Sequence, residues 1–494
     1  MLFPSDFTGV HFHFVGIKGT GMAALVELLY ARKAVITGSD VEEKFYTDAI
    51  LEKLGIKVLP FSEKNITDDV DVVIYSSAYN PEKNPDLIQA KKKNIPLFLY
   101  SEALGALSRT SFSCGICGVH GKTTTTGFTG TLLKELPLSS QVLAGSVISS
   151  FGSSCVMSSA NFLETKNVHP DFFAAETCEY QRHFMAFSPS KIILTSVESD
   201  HQDYYPTYND IRNAFVDYIC LLPQGGSLIY CADDAGACET ASISAKKRPD
   251  IKMIPYGESA EGSFKITFGE VKGGRQYFSC GGFESLSICV PGKHNVRNAT
   301  ASLFLVCELL KEKGLEPSAF ESQLRHGLES FAGGKRRSEI LSRKKLSSGK
   351  EVIFIDDYGH HPTAIKTTLE GYRNFYSGHK IIVDFMSHTY SRTQALLEEF
   401  ASSFGAADCV IINRIYASAR ENAEGFSVSG KILAEHASKY HKNVIYADGF
   451  DEAALKGLEL LKEDSGSEYP DGYLFVTMGA GDNWKVADIL INKL

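Results

Sequence analysis

The sequence predicts an α/β protein of about three domains, and three observations predict it. At 494 residues the chain is long enough for three full cores. Short apolar runs alternate with helical stretches along most of it, as in sheets whose strands are joined by helices. The polar clusters fall at the C-terminal ends of those runs, where open α/β sheets bind their ligands. Composition is that of a globular chain, 44% hydrophobic and 22% charged, with a formal charge of −9. That charge argues against a nucleic-acid surface, which needs a basic face. No run approaches membrane-spanning length and the start lacks a signal-peptide pattern, so no membrane insertion is expected and the cytoplasm is the expected compartment. The 11 cysteines are scattered. The one CxxC, Cys114 to Cys117, lies in an apolar run, so buried reduced thiols are expected there rather than a zinc or redox pair.

The first unit opens with a strand over 10–15 running into Gly16-Ile17-Lys18-Gly19-Thr20-Gly21. A helix over 23–32 and a strand over 34–38 follow, ending at Ser39 and Asp40. A glycine turn for a diphosphate with an acid after the second strand resembles a Rossmann first unit. Lys18 stands where GxGxxG wants its second glycine, which disfavours an ordinary nicotinamide site and leaves room for another nucleotide diphosphate. A strand over 72–75 ends at Ser76 and Ser77, either a ligand contact or a simple turn.

The second unit carries Gly118-Val119-His120-Gly121-Lys122-Thr123-Thr124 between a strand over 113–117 and a helix over 125–133. Glycines let backbone N–H groups face phosphates, the helix N-terminus adds partial positive charge, Lys122 reaches the terminal phosphates and Thr123 suits Mg²⁺. Ile116 departs from the strict GxxxxGK[ST] pattern. A strand over 172–175 then delivers Glu176, and a strand over 191–197 leads to Glu198, Asp200, His201 and Asp203. Mg²⁺ wants oxygen ligands, which Glu176 supplies; His201 is an unusual but allowed addition. Residues from about 225 to 290 read as short antiparallel strands, among them 264–268 and 286–290. Pro291-Gly292 opens a helix in which Asn295 and Asn298, three apart, share a face. Paired amides suit the edge of an adenine, and helix capping is the other role open to Asn295.

Residues 331–335 read as a hinge into the third unit, followed by Arg336 and Arg337. Strands over 352–355, 380–385, 409–412 and 473–477 come next. Three end in polar clusters: Asp356-Asp357-Tyr358-Gly359-His360-His361, Met386-Ser387-His388-Thr389-Tyr390-Ser391-Arg392, and Met478-Gly479-Ala480-Gly481-Asp482.

The stretches GIKGTGM, TGSD, GVHGKTTTT, AAETCEYQRHF, ESDHQDYY, PGKHNVRNA, KRRSE, DDYGHHP, SHTYSRT and MGAGD, in this order over nearly the whole chain, resemble the Mur ligase family. The resemblance implies an N-terminal Rossmann-like domain over 1–108 for a UDP-sugar and a central phosphate-loop (P-loop NTPase-like) mixed-sheet domain over 109–332 for ATP and Mg²⁺. It implies a C-terminal Rossmann-like ligase domain over 333–494. The implied activity is ATP-driven amide formation between the lactyl carboxylate of UDP-N-acetylmuramate and L-alanine through an acyl phosphate, in peptidoglycan precursor synthesis, by a monomer or homodimer.

Carried over by motif, Gly118, Val119, His120, Gly121, Lys122, Thr123 and Thr124 would bind ATP. Thr123, Glu176 and His201 would hold metal, and His294, Asn295 and Asn298 would face adenine. Arg337 would reach the terminal phosphate and Asp357 the ribose, while His360, His361, His388 and Arg392 would face the acceptor and amino acid. Gly16, Ile17, Gly19, Thr20, Gly21, Ser39, Asp40, Ser76 and Ser77 would form the UDP-sugar site. Lys122, Glu176, His201, Arg337, His360 and His361 are the implied catalytic set, and loss of Lys122 is expected to reduce turnover by orders of magnitude with folding little changed.

Two departures stand out. Thr389 replaces an arginine of many members, and no lysine lies between Lys191 and Lys246 to serve as the carbamoylated metal bridge of sister ligases. Other readings remain open: a recycling ligase joining a peptide to the same nucleotide sugar, a folylpolyglutamate-type ligase, a nicotinamide dehydrogenase, and a non-catalytic nucleotide switch.

Overall fold

His11-Phe12-His13-Phe14-Val15 is buried at all five positions, as a strand covered on both faces must be. Its two histidines are admitted because partners meet them. The His13 ring lies 2.9 Å from Thr37 Oγ1 and 3.2 Å from the buried Asp86 carboxylate, and His11 shares the same threonine oxygen. This strand is central to the first sheet of a computed structural model that describes residues 3–157, 169–202, 204–417, 425–463 and 468–494. The chain forms two compact units.

The first unit comprises Met1–Thr267, Ser279–Leu286 and Arg297–Ala332. It holds a five-stranded parallel sheet of β1 (His11–Val15), β2 (Val35–Ser39), β3 (Val58–Leu59), β4 (Val72–Tyr75) and β5 (Leu97–Leu99), in the order β3-β2-β1-β4-β5. The order reverses beside β1, and the glycine turn leaves the C-terminal end of that strand, the usual place for a ligand crevice. A seven-stranded sheet follows: β6 (Phe112–Cys117), β7 (Ser140–Ile148), β8 (Ser153–Met157), β9 (Phe172–Glu176), β10 (Lys191–Leu194), β11 (Ser227–Cys231) and β12 (Lys252–Tyr256). Its order is β12-β11-β10-β6-β9-β7-β8, parallel except for β8 on β7, so the sheet is mixed. A three-stranded sheet has the order β13 (Thr267–Lys272), β14 (Arg275–Cys280), β15 (Phe283–Ile288), of which Phe268–Phe278 are counted with the second unit.

The second unit comprises Phe268–Phe278, Ser287–Val296 and Gly333–Leu494. Its six-stranded sheet contains β16 (Glu339–Lys345), β17 (Glu351–Asp357), β18 (His379–Met386), β19 (Cys409–Ile412), β20 (Val444–Tyr446) and β21 (Gly472–Gly479). The order is β16-β17-β21-β18-β19-β20, with β16 antiparallel to β17 and the other pairings parallel. Apolar clusters cover this sheet, one around Ile355, Val383 and Phe404, another around Phe354, Ile382 and Phe475. Among the described residues no helix is long and apolar enough to cross a membrane.

Several elements differ from the sequence reading. The expected antiparallel strands between 225 and 290 include β11 and β12, which are parallel members of the seven-stranded sheet joined by the helix Ala235–Lys247. That helix is rich in small and hydroxylated residues, which read as loop. Its Gly236, Ala237, Thr240, Ala241 and Ser244 form the buried face, and a Cβ at Gly236 would overlap the carbonyl of Val197. The strand expected over 264–268 is a short 3₁₀ turn, Gly262–Phe264, with β13 starting at Thr267; β15 lies at Phe283–Ile288 rather than 286–290. Two helices start early, at Thr20 and Lys122, because each glycine turn supplies the first helical carbonyl: Ala23 N donates to Gly19 O and Thr125 N to Gly121 O.

Candidate active site

β6 lies between β10 and β9, and its chain exits into the phosphate loop. Gly118 (φ +133°) and Gly121 (φ +81°) occupy backbone conformations that favour glycine. Neighbours forbid a side chain as well: a Cβ at Gly121 would lie 2.7 Å from Asn298 Oδ1, and one at Gly118 would overlap Thr195 Oγ1. The segment after β10 pins the loop, with Val119 N donating to Ser196 O (3.1 Å), His120 N to Ser196 Oγ (3.0 Å) and Thr195 Oγ1 to His120 O (2.5 Å). The helix Lys122–Lys134 then presents its unpaired N-terminal amides to the loop. Thr124, half-buried, lies in its first turn.

Lys122 Nζ donates to the carbonyl of Gly118 and to both oxygens of Glu179, at 3.0 and 2.9 Å. Burial is the largest influence on its charge and opposes it, yet Glu179, Cys178 and Glu176 together outweigh burial and hold the lysine pKa above its ordinary value; against its own burial, Glu179 is lowered by Lys122 and His201 together. Thr123 Oγ1 donates to Glu176 Oε2 at 2.9 Å, and Gly145 N donates to the same oxygen at 2.9 Å. A Cβ at Gly145 would come within 2.5 Å of that oxygen, so glycine there lets the carboxylate lie flat on β7. His201 has φ +54°, its N–H donates to Asp200 Oδ1 (2.7 Å), its Nε2 lies 3.6 Å from Glu179 Oε1, and its ring packs on Tyr180 at 4.7 Å. Lys122, Thr123, Glu176 and His201 are thus brought together. Glu179, which sequence reasoning passed over, joins Lys122 to His201. The signal was a second acid three residues beyond Glu176 at the same strand end. Asp203 lies outside the described residues.

Asn298, buried, packs on Gly121. Asn295 is the third residue of the helix Lys293–Glu312 and donates from Nδ2 to Pro291 O at 2.7 Å, bracing the first turn. His294 packs beside Gly292, where a Cβ would lie 2.5 Å from its ring. His294 and Asn295 belong to the second unit, Asn298 to the first.

At the glycine turn after β1, Gly16 (φ +84°) and Ile17 both donate N–H to Ser39 O, at 2.9 and 3.2 Å. Asp40 fastens the turn, accepting from Lys18 N (2.7 Å), Val41 N (2.8 Å) and Tyr79 Oη (2.7 Å). Lys18 folds away to the carbonyls of Val41 and Glu43 and to Asp48, which is why a lysine fits where a glycine is usual. Gly19 is exposed, Thr20 Oγ1 accepts from Tyr46 Oη (2.9 Å), and Gly21 packs on Tyr100. Ser39 is fully buried, with no hydrogen-bond partner for its hydroxyl among the described residues. Ser76 makes a turn, its Oγ accepting from Ala78 N (3.3 Å), while Ser77 is exposed beside it.

In the second unit, Arg336 binds Asp356 Oδ2 (2.8 Å) and Gly479 O (2.8 Å), while Arg337 lies 5.0 Å from the Tyr358 ring centre. Asp357 accepts from Ser338 N and Gly359 N, both at 2.8 Å. His360 Nδ1 is 2.9 Å from Tyr358 O and its ring centre 6.2 Å from that of His388; His361 is buried ahead of the helix Pro362–Phe375. Thr389 caps the helix Tyr390–Ala395, its Oγ1 accepting from Arg392 N at 3.4 Å, and adopts φ +67°, an outlier for a β-branched residue. Arg392 is buried behind it.

The chain matches three family models in succession: "Mur ligase family, catalytic domain" over residues 11–112, "Mur ligase middle domain" over 116–306, and "Mur ligase, glutamate ligase domain" over 336–481. It is 48% identical over 492 residues to the UDP-N-acetylmuramate–L-alanine ligase of Treponema pallidum, covering 99% of this chain and 98% of the relative. The chain belongs to the Mur ligase family. The like-named ligase of Borreliella burgdorferi is 36% identical, with 97% of each chain covered. Among solved structures, the UDP-N-acetylmuramate–alanine ligase of Thermotoga maritima superposes with a TM-score of 0.71 at 24% identity, 98% of each chain covered. A murein peptide ligase of Psychrobacter arcticus gives 0.62 at 19%, again over 98% of each chain. At those identities the structures bear on fold alone, and they establish the α/β Mur ligase architecture for this chain.

Proposed function

We propose that this Mur ligase joins L-alanine to the lactyl carboxylate of UDP-N-acetylmuramate at the expense of ATP, in the cytoplasm, as a step of peptidoglycan precursor synthesis. The observation that carries the reading is the 48% identity over 99% of the chain to a relative of that name. We take the working division as 1–108 for the UDP-sugar, 109–332 for ATP and 333–494 for the amino acid.

A carboxylate is a poor acyl donor. Transfer of the terminal phosphoryl group of ATP to the lactyl carboxylate gives an acyl phosphate; the amine of L-alanine attacks its carbonyl, and the tetrahedral adduct expels inorganic phosphate. The first step brings two anions together. Lys122 places a half-buried positive charge beside the loop amides, and Arg337 is the second cation assigned to the transferring group. The hydroxyl of Thr123 and the carboxylate of Glu176, 2.9 Å apart, are hard oxygen donors suited to Mg²⁺, with the His201 imidazole at the other side of Glu179. When bound there, Mg²⁺ supplies further charge neutralisation on phosphate oxygens. His294, Asn295 and Asn298 are assigned to the adenine, Asp357 to the ribose, and His360, His361, His388 and Arg392 to the acceptor and amino acid. Gly16, Ile17, Gly19, Thr20, Gly21, Ser39, Asp40, Ser76 and Ser77 are assigned to the UDP end.

The test is the mass of the product formed from ATP, Mg²⁺ and UDP-N-acetylmuramate with a panel of amino acids and a cell-wall peptide. Extension by a peptide alone would favour the recycling ligase.

A further inference from the structure

A cavity of about 110 Å³ opens beside Glu176 in the first unit. Its walls are largely apolar, with Leu104, Leu143, Phe184 and Phe187 among them, and Tyr100 and Glu176 give it polar edges. The space holds a few water-sized groups, or one branch of a sugar.

Tyr100 ties this cavity to the glycine turn. A Cβ at Gly21 would lie 2.9 Å from its Cζ and 3.0 Å from its hydroxyl oxygen, so the phenol rests directly on the turn. Its position is set by the helix it opens, Tyr100–Ser108. The Glu102 carboxylate accepts Leu99 N–H at 2.8 Å ahead of that helix, and Gly105 lets the helix press onto the backbone of Ala186. The Tyr100 hydroxyl has no hydrogen-bond partner among the described residues. Burial first, then the charges of Glu176 and Cys178, push its pKa up, so it remains a neutral donor at ordinary pH. A donor of this kind, placed on an apolar wall without a protein acceptor, is built to meet an acceptor that arrives with a ligand.

On the function proposed above, the acceptor runs from a diphosphate at the glycine turn to a carboxylate at the phosphate loop. Its sugar then passes from Gly21 towards Glu176, the two places that Tyr100 and its cavity join. We propose that Tyr100 is a substrate contact: its hydroxyl donates a hydrogen bond to an oxygen of the acceptor's sugar, and the apolar wall receives a methyl-bearing branch of that sugar. The inference rests on the proposed function.

Tyr100→Phe tests it, because the ring stays on Gly21 and only the hydroxyl is lost. The whole chain and the variant are titrated calorimetrically, without ATP, with UDP-N-acetylmuramate and separately with UDP, and both are melted. Tyr100→Phe should weaken UDP-N-acetylmuramate binding roughly three- to tenfold, the loss of one neutral hydrogen bond, with UDP affinity and melting temperature unchanged. Unchanged affinity for both ligands overturns the contact. Equal weakening of both overturns the assignment to the sugar. A parent chain that binds UDP but not UDP-N-acetylmuramate overturns the function itself, a result distinct from either.

Discussion

The buried Glu179 carboxylate is ion-paired with the half-buried Lys122, which changes what a substitution at Lys122 should do. From the sequence, Lys122→Ala ought to cost turnover and leave folding alone. With the pair in view it strands a buried carboxylate, and breaking a buried pair at one partner costs roughly 3–5 kcal/mol. Lys122→Ala should therefore lose turnover by orders of magnitude and also unfold at lower denaturant. Adding Glu179→Gln should restore much of the stability and none of the turnover. A Lys122→Ala protein as stable as its parent would show that the pair is not desolvated. Glu176 makes a different prediction. Its Oε2 already collects the Thr123 hydroxyl and the Gly145 amide, so Glu176→Ala should raise the Mg²⁺ concentration needed for half-maximal activity. An unaltered Mg²⁺ titration would remove it from the metal position.

The strand, glycine loop and helix around Gly118–Lys122 were legible because each element has a local cause: an apolar run, two glycines at positive φ, and a helix beginning at the lysine. Strand-end acids were legible for the same reason. Glu179 was not, since it lies three residues past the end of β9, beside Gln181 and Arg182 in left-handed conformations (φ +51° and +58°) that neither residue type announces. The helix Ala235–Lys247 escaped because its buried face is made of Gly, Ala, Ser and Thr rather than large apolar side chains. β18 hides a further group. Asp384 lies fully buried in it, accepting from Asn413 Nδ2 (2.7 Å) and Asn483 Nδ2 (3.2 Å). Burial raises its pKa to about 7, with Asp356 adding to the rise and the two amides opposing it. The native state thus binds a proton that the unfolded chain releases near pH 4. Stability from this group falls as pH rises from about 4 through 7, by a few kcal/mol at most. Asp384→Asn should melt progressively higher than its parent as pH is raised from about 5.5 to about 8.5. A melting difference independent of pH would mean that Asp384 keeps one charge state across that range.

At the scale of the molecule, the described residues form four sheets in two compact units, and each unit carries residues of the implied set. The first unit holds the glycine turn, the phosphate loop, Glu176 and His201; the second holds Arg337, Asp357, His360, His361, His388 and Arg392. The full-length match to relatives named for one reaction is what assigns a single activity to the chain. The sequence order of motifs already pointed to the family, since most of them stand at the end of an apolar run. The amine's identity was less legible, because a recycling ligase would join a peptide to the same nucleotide sugar. The measurement that decides the account is the mass of the product made by the whole chain from ATP, Mg²⁺, UDP-N-acetylmuramate and a mixture of amino acids and peptide. The account predicts one new species, the nucleotide sugar extended by a single alanine through an amide, with ADP and phosphate formed in equal amounts. ATP hydrolysis without an amide product, or extension by the peptide in place of alanine, would contradict it.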